Sequence, residues 1–311
     1  MRPEIWLTFD CEDFISSRSI PILYRILELL RVYDITGLFF LTGHMAEKIS
    51  NFPDILDMLE DHQIGYHSSA HTVRPTIVEY TDVEDYSRAR RISLKRETSH
   101  IDPLTGECDG KGGILLLRNI FPKKRVVSFR APGFCWSPPH LEALRELGIL
   151  FDFSTDLSPT PITHNGIIFY PFPSLIDLIS LGQCRLILKA LLRTRLTVFD
   201  FHPDYFTNAN NWDSIYFAGN PKRLYQPKDR GWRDTEMLLR KFELFLKRLS
   251  LFGKSGMLAF TPPLENNAED PAFTTEFALK RYQTSIGWAK NHMGYNPKFV
   301  HVHFMKFFNV S

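Results

Sequence analysis

The chain has 311 residues, 44% hydrophobic and 23% charged, with a net charge of +2. That is the composition of a globular protein long enough for one α/β barrel or two smaller domains, and it lacks the basic excess that binding nucleic acid requires. Four widely spaced cysteines, Cys11, Cys108, Cys135 and Cys184, contain no C-x-x-C pair, which excludes a zinc ribbon or a dithiol redox motif.

In chain order, Ile5 to Phe9 reads as a buried strand that runs into three carboxylates, Asp10, Glu12 and Asp13. Buried acids are paired, metal-bound or protonated, because an isolated one costs too much to desolvate. Ser19-Ile20-Pro21 opens a helix, with Ile22, Leu23, Ile26, Leu27 and Leu30 at helical spacing. Leu38 to Leu41 is a second strand, a helix begins at Asn51-Phe52-Pro53, and Ile64-Gly65-Tyr66 is a third strand leading into His67. This alternation predicts a parallel α/β sheet. Further on, a polar helix is expected over Val83–Thr98, a glycine-rich loop over Asp102–Gly113 and a short helix over Ile114–Ile120. A strand over Arg125–Phe129 follows, then a helix from Pro139 to Leu147 and a strand over Ile149–Phe151 that ends at Asp152.

Arg195–Phe199 reads as a strand, Thr235–Leu251 as an amphipathic helix and Gly256–Thr261 as the last barrel strand. Glu276–Asn291 is expected to be helical and Phe299–Phe304 an added strand. Residues 1–265 are read as one domain, with 266–311 as an extension packed on it. The apolar window Leu175–Leu192 is interrupted by Asp177, Arg185 and Lys189, which argues against a membrane span. The basic, apolar stretch Cys184–Arg195 is read as a buried helix in preference to a membrane-surface contact. No basic segment leads into an apolar run at the N-terminus, so the expectation is a cytoplasmic protein without a secretory signal.

Asp10, His67, Arg130, Asp152 and His202 each fall at or just past a predicted strand end. In a βα barrel that is the rim where active sites are built. His67 and His71 lie four apart, so one helical turn puts both imidazoles on one face, able to grip one metal ion. Two histidines and a carboxylate form a facial triad that leaves positions open for water and substrate. Glu12 shares a strand face with Asp10, which favours Glu12 as the third ligand; Asp13 is the alternative if the chain bulges.

At these residues the chain resembles the polysaccharide deacetylase family (carbohydrate esterase family 4, the NodB homology domain). Thr8-Phe9-Asp10-x-Glu12-Asp13 is similar to its first motif and His67-Ser68-x-x-His71 to its second. Ser128-Phe129-Arg130-Ala131-Pro132 is similar to the third motif, Phe151-Asp152-Phe153-Ser154 more weakly to the fourth, and Val198–Pro203 to the fifth. The departure is Cys11, which stands where the family's first motif commonly has a second aspartate.

The resemblance implies a distorted (β/α) barrel and one divalent metal ion, most often zinc. It implies removal of an acetyl group from an acetylated sugar or glycan precursor. By the same resemblance Asp10 is the general base, Arg130 orients it, His202 is the general acid, and Glu12 (or Asp13), His67 and His71 hold the metal. Phe134, Trp136 and Tyr205, with Phe206 and Trp212, follow the motifs and are candidates for a sugar-stacking wall. Three other readings remain open here: amide hydrolysis on a formylated sugar or ureide, a non-catalytic glycan-binding member, and a non-haem iron oxygenase.

Overall fold

The computed structural model describes residues 4–71, 77–155, 161–171, 174–175, 196–210, 225–252 and 275–310. Its strands are β1 (Glu4–Cys11), β2 (Leu38–Leu41), β3 (Gln63–Tyr66), β4 (His100–Ile101), β5 (Cys108–Asp109), β6 (Ser128–Phe129), β7 (Phe151–Thr155), β8 (Ile162–His164), β9 (Ile167–Pro171), β10 (Ser174–Leu175) and β11 (Leu196–Phe201). Nine of them form one curled sheet, in the order β10-β11-β1-β2-β3-β6-β7-β9-β8. All its pairings are parallel except β8 with β9. The fold is α/β, a half-barrel with helices packed outside, as the strand–helix alternation predicts.

Period-2 alternation on β1 decides what faces where. Ile5, Leu7, Phe9 and Cys11 join the large core beneath the helices. Trp6 joins a smaller cluster on the opposite face with Leu38, Phe40, Val127, Phe151, Phe153 and Val198. Thr8, Asp10 and Glu12 share the parity of Trp6, so the acids stand on the inner face, above that apolar plug. Cys11 points the other way into the core, which removes its thiol from the acids' side.

The helix Ser19–Val32 buries Ile22, Leu23, Ile26, Leu27 and Leu30, as their spacing predicts. The helix Gly43–Ile49 follows β2 directly, and its N-cap Thr42 accepts a hydrogen bond from the Met45 N–H at 3.1 Å. The helix Trp232–Phe252 lays Phe242 and Phe245 against Phe201. Among the described residues no helix is long and apolar enough to cross a membrane.

Several elements differ from the sequence expectation, among them the helices Gly43–Ile49 and Ile77–Thr81, which the sequence reading leaves out. Phe299–Phe304 is not a strand: Val300–Phe307 is a helix, with Val300, His303, Phe304 and Phe307 buried. The alternation of Val and His there imitates a strand, but the buried set falls at i, i+3, i+4 and i+7 and packs on Trp136. The hairpin β8–β9 was not anticipated, although Asn165-Gly166 at its tip, both at positive φ, is the pair a two-residue turn demands. Within the expected loop 102–113, Cys108–Asp109 pairs with β4. The expected strand Gly256–Thr261 and the segment Cys184–Arg195 lie outside the described residues.

The C-terminal helices are built into the core. Arg281, on the helix Thr275–Met293, is fully buried, donates to the carbonyls of Ser154 and Phe134, and lies 5.3 Å from the Trp136 ring centroid.

Candidate functional site

Residues at or just past the ends of four strands, β1, β3, β6 and β11, converge on the inner face. Glu12 Oε2 lies 3.2 Å from His67 Nε2 and 3.1 Å from His71 Nε2, and all three residues are buried. His67 Nδ1 is 2.7 Å from the Arg130 carbonyl oxygen, which can only accept, so Nδ1 carries the proton. In the neutral ring Nε2 therefore turns a lone pair toward the Glu12 carboxylate. Two acceptors at that distance need a cation between them or a second proton on the ring. Two imidazole nitrogens and a carboxylate oxygen within 4.8 Å of one another are a donor set suited to a divalent ion such as zinc. The charges agree in sign: the buried acids Asp10, Glu12 and Asp200 outnumber the cations beside them, Arg130 on Asp10 and Asp200 and the His202 imidazole, and a bound cation would offset the remainder.

Asp13, the alternative ligand, is engaged elsewhere. Its Oδ1 accepts from the backbone N–H groups of Ile15 (3.0 Å) and Ser16 (2.8 Å), and its Oδ2 accepts from Asn208 Nδ2 at 2.9 Å. Between the two acids the geometry brings Glu12, and not Asp13, to the imidazoles.

Beside this trio lies a second group. Arg130 is fully buried over the Phe40 ring, and its Nη1 reaches Asp10 Oδ1 at 2.7 Å and Asp200 Oδ1 at 2.6 Å. Burial alone would raise the Asp10 pKa, but Arg130, His67 and His202 outweigh it and hold the carboxyl below its usual range. Asp200 has less compensation, and burial pushes it up to about 6. His202 Nε2 lies 3.8 Å from Asp10 Oδ2, and its Nδ1 lies 4.0 Å from Asp200 Oδ2. Burial alone would lower the His202 pKa; Asp200, Glu12, Asp10 and Asp204 outweigh it and lift it to about 9. At neutral pH the geometry thus holds an ionised acid against a protonated imidazole, a base beside an acid.

Asp152 does not join them. It sits within β7 with the parity opposite to Phe151 and Phe153, and its oxygens accept from the Ser154 N–H and hydroxyl. Arg130 pairs with Asp200 as well as Asp10, and Asp200, absent from the sequence reading of the site, lies two before His202.

Of the aromatic candidates, Tyr205 stacks on the His202 ring with centroids 4.5 Å apart and an interplanar angle of 10°. Phe134 is half-buried at positive φ in the turn after β6. Trp136 is not brought to the site: it is fully buried among Phe169, Phe304 and Phe307. Phe206 is likewise buried, and Trp212 lies outside the described residues.

A buried carboxylate that the sequence did not single out, Glu97, lies behind the His67–His71 loop. Burial alone would raise its pKa; His140, Tyr66 and Tyr80 outweigh it and hold it at about 2.

Fold and site together are of the class that gathers reactive side chains at the C-terminal ends of parallel strands. Residues 1–108, about a third of the chain and the part that holds the first two motifs, match the polysaccharide deacetylase family model. No curated protein matches the chain. Solved structures similar to it include a Streptococcus mutans CE4 esterase, 11% identical, with 81% of this chain and 84% of that one covered and a TM-score of 0.44. Puue allantoinase is 12% identical, with 79% and 84% covered and a TM-score of 0.47. The 4-alpha-glucanotransferase from Thermococcus litoralis is 15% identical, with 80% of this chain and 38% of that one covered and a TM-score of 0.48.

Proposed function

We propose that this chain is a metal-dependent deacetylase that removes an acetyl group from an N-acetylated sugar of a cell-surface polysaccharide or lipid-linked glycan precursor. The observation that carries the reading is the convergence of Glu12, His67 and His71 beside Asp10 and His202, whose Nε2 lies 3.8 Å from Asp10 Oδ2. The family-model match over residues 1–108 supports it.

Glu12, His67 and His71 would hold the ion, zinc for preference. When bound, such an ion supplies Lewis acidity and lowers the pKa of water. The chain's own residues do the rest. Asp10 accepts the proton of the attacking water, and Arg130 keeps it ionised and fixes its Oδ1, leaving Oδ2 for the proton. His202 donates a proton to the departing amine nitrogen, while the stacked Tyr205 ring holds the imidazole plane. Phe134 and Tyr205, both partly exposed, are the surfaces on which a sugar ring would rest.

The test is acetate release from a panel of acetylated sugar nucleotides and lipid-linked sugars, with and without chelator. Turnover that chelator abolishes and added zinc restores is expected. Turnover unaffected by exhaustive chelation would remove the metal from the reading, and no acetate from any member of the panel would remove the acetyl group.

A further inference from the structure

The two imidazoles of the cluster sit on one loop, His67-Ser68-Ser69-Ala70-His71, whose path has an unusual cause. Ser68 has a φ of +66°, a left-handed conformation that a serine adopts only when its surroundings impose it. Those surroundings are polar and buried. Glu97, the last residue of the helix Tyr86–Glu97, is 1% exposed, and both its oxygens are filled. Oε1 accepts from the Ser68 hydroxyl at 2.9 Å, Tyr80 Oη at 2.7 Å and His140 Nε2 at 3.0 Å. Oε2 accepts from the Ser69 backbone N–H at 2.9 Å, Tyr66 Oη at 2.6 Å and again the Ser68 hydroxyl at 3.2 Å. Two of these donors belong to the loop itself, one residue and two residues after His67.

The surroundings close around this contact. Gly43 N–H donates to the Ser68 carbonyl at 3.0 Å, and a Cβ at Gly43 would stand 2.7 Å from the Ser69 carbonyl. Gly113 has a φ of +54°, and a Cβ there would stand 2.3 Å from the Glu97 carbonyl. A structural acid buried for stability alone would be satisfied by any five donors. Here two of the five donors are a side chain and a backbone N–H of the segment that aims both imidazoles at Glu12, so the carboxylate fixes the angle between them before any ligand arrives.

We propose that Glu97 is a positioning residue: through Ser68 and Ser69 it sets the His67–His71 loop in the geometry that binds a divalent cation. This rests on the metal-dependent reading above and adds a residue to it. Glu97 touches neither the ion nor substrate. It acts by keeping Nε2 of His67 and Nε2 of His71 on one oxygen of Glu12.

The experiment is zinc affinity of the metal-free full chain, measured by competition with a chelating dye, together with the visible spectrum of the cobalt-loaded protein. Wild type is compared with Glu97→Gln and Ser68→Ala. The amide keeps the size of the carboxylate but loses its charge; with its oxygen on the Ser69 N–H, its NH2 group faces the Ser68 and Tyr80 hydroxyls and the His140 ring, which must reverse their hydrogen bonds to accept. Glu97→Gln is expected to bind zinc about 10-fold or more weaker, in the range seen when groups behind metal ligands are removed, with shifted cobalt bands. Ser68→Ala is expected to move in the same direction by less. If Glu97→Gln does not fold, Ser68→Ala alone decides, since it removes one hydroxyl and leaves the acid. Folded variants with wild-type affinity and an unchanged cobalt spectrum would overturn the inference while leaving the metal reading intact. A wild-type chain with no affinity for zinc or cobalt would overturn both.

Discussion

Asp10 and Glu12 stand two residues apart on one strand face, yet their neighbours divide the labour between them. Asp10 has a guanidinium and Glu12 has two imidazoles. Asp10→Asn is expected to leave zinc content unchanged and lower kcat by roughly 10²–10⁴, the range for a lost general base, read by acetate release beside metal analysis. Glu12→Gln should lose the metal. Asp13→Asn should keep it and instead lose about 1–3 kcal/mol of stability, because Asp13 accepts two backbone N–H groups and the Asn208 amide. The ordering of metal content among the three variants tests the assignment. His202 offers a pH check. In metal-free protein its imidazolium is expected to persist until the pH rises through about 9, followed by NMR. Loading with zinc should lower that value, because Glu12, one of the charges that raises it, is then neutralised.

At the scale of elements, the three N-terminal strands, their crossover helices and the side-chain parity of β1 were legible in the sequence, and with them Asp10, Glu12, His67 and His71. Local pattern suffices there because each strand is short, apolar and bounded by turn residues. What pattern does not carry is the choice of partner across the fold. From the sequence, the ion-pair partner of Arg130 reads as Asp152 or Asp156; Asp156 lies outside the described residues, Asp152 faces away on β7, and the pair forms with Asp200 across the fold. Glu97 could not be found, since an acid at the end of a polar helix reads as solvated until Tyr66, Tyr80 and His140 are seen around it. The helix Val300–Phe307 was misread because β-branched alternation is a weak signal beside the packing of Phe304 on Trp136.

Gly43→Ala should destabilise by about 1–3 kcal/mol in urea unfolding and weaken zinc binding, since its methyl meets the Ser69 backbone where the first turn of Gly43–Ile49 touches the imidazole loop. Glu97 is held at about 2 against an ordinary 4.5, so its ionised form stabilises the fold above pH 4.5, and that contribution is lost as the pH falls toward 2. The stability gap between wild type and Glu97→Gln, roughly 3 kcal/mol at pH 5 from that shift, should therefore close on acidification, as measured by urea unfolding at each pH.

On the scale of the whole molecule, the C-terminal helices support the site from beneath. Arg281 donates to the carbonyls of Ser154 and Phe134, and Phe304 packs at a tilt against Trp136 in the segment after β6. Phe304→Ala is expected to cost about 3–5 kcal/mol, measured by denaturant unfolding, with zinc affinity little changed because Phe304 packs on Trp136 and not on Glu12, His67 or His71.

β1 pairs with β11 along its length, from Glu4 opposite Leu196 to Phe9 opposite Phe201. That register has a temporal consequence. A chain leaving the ribosome holds its trio of cation donors once residue 71 has been made, but Arg130 comes later and the imidazole at 202 later still. The order of synthesis therefore supplies the ion's donors and the proton acceptor Asp10 well before the guanidinium that holds Asp10 and the imidazole that returns the proton, and turnover must wait for a strand from the far end of the polypeptide to slot in beside the first.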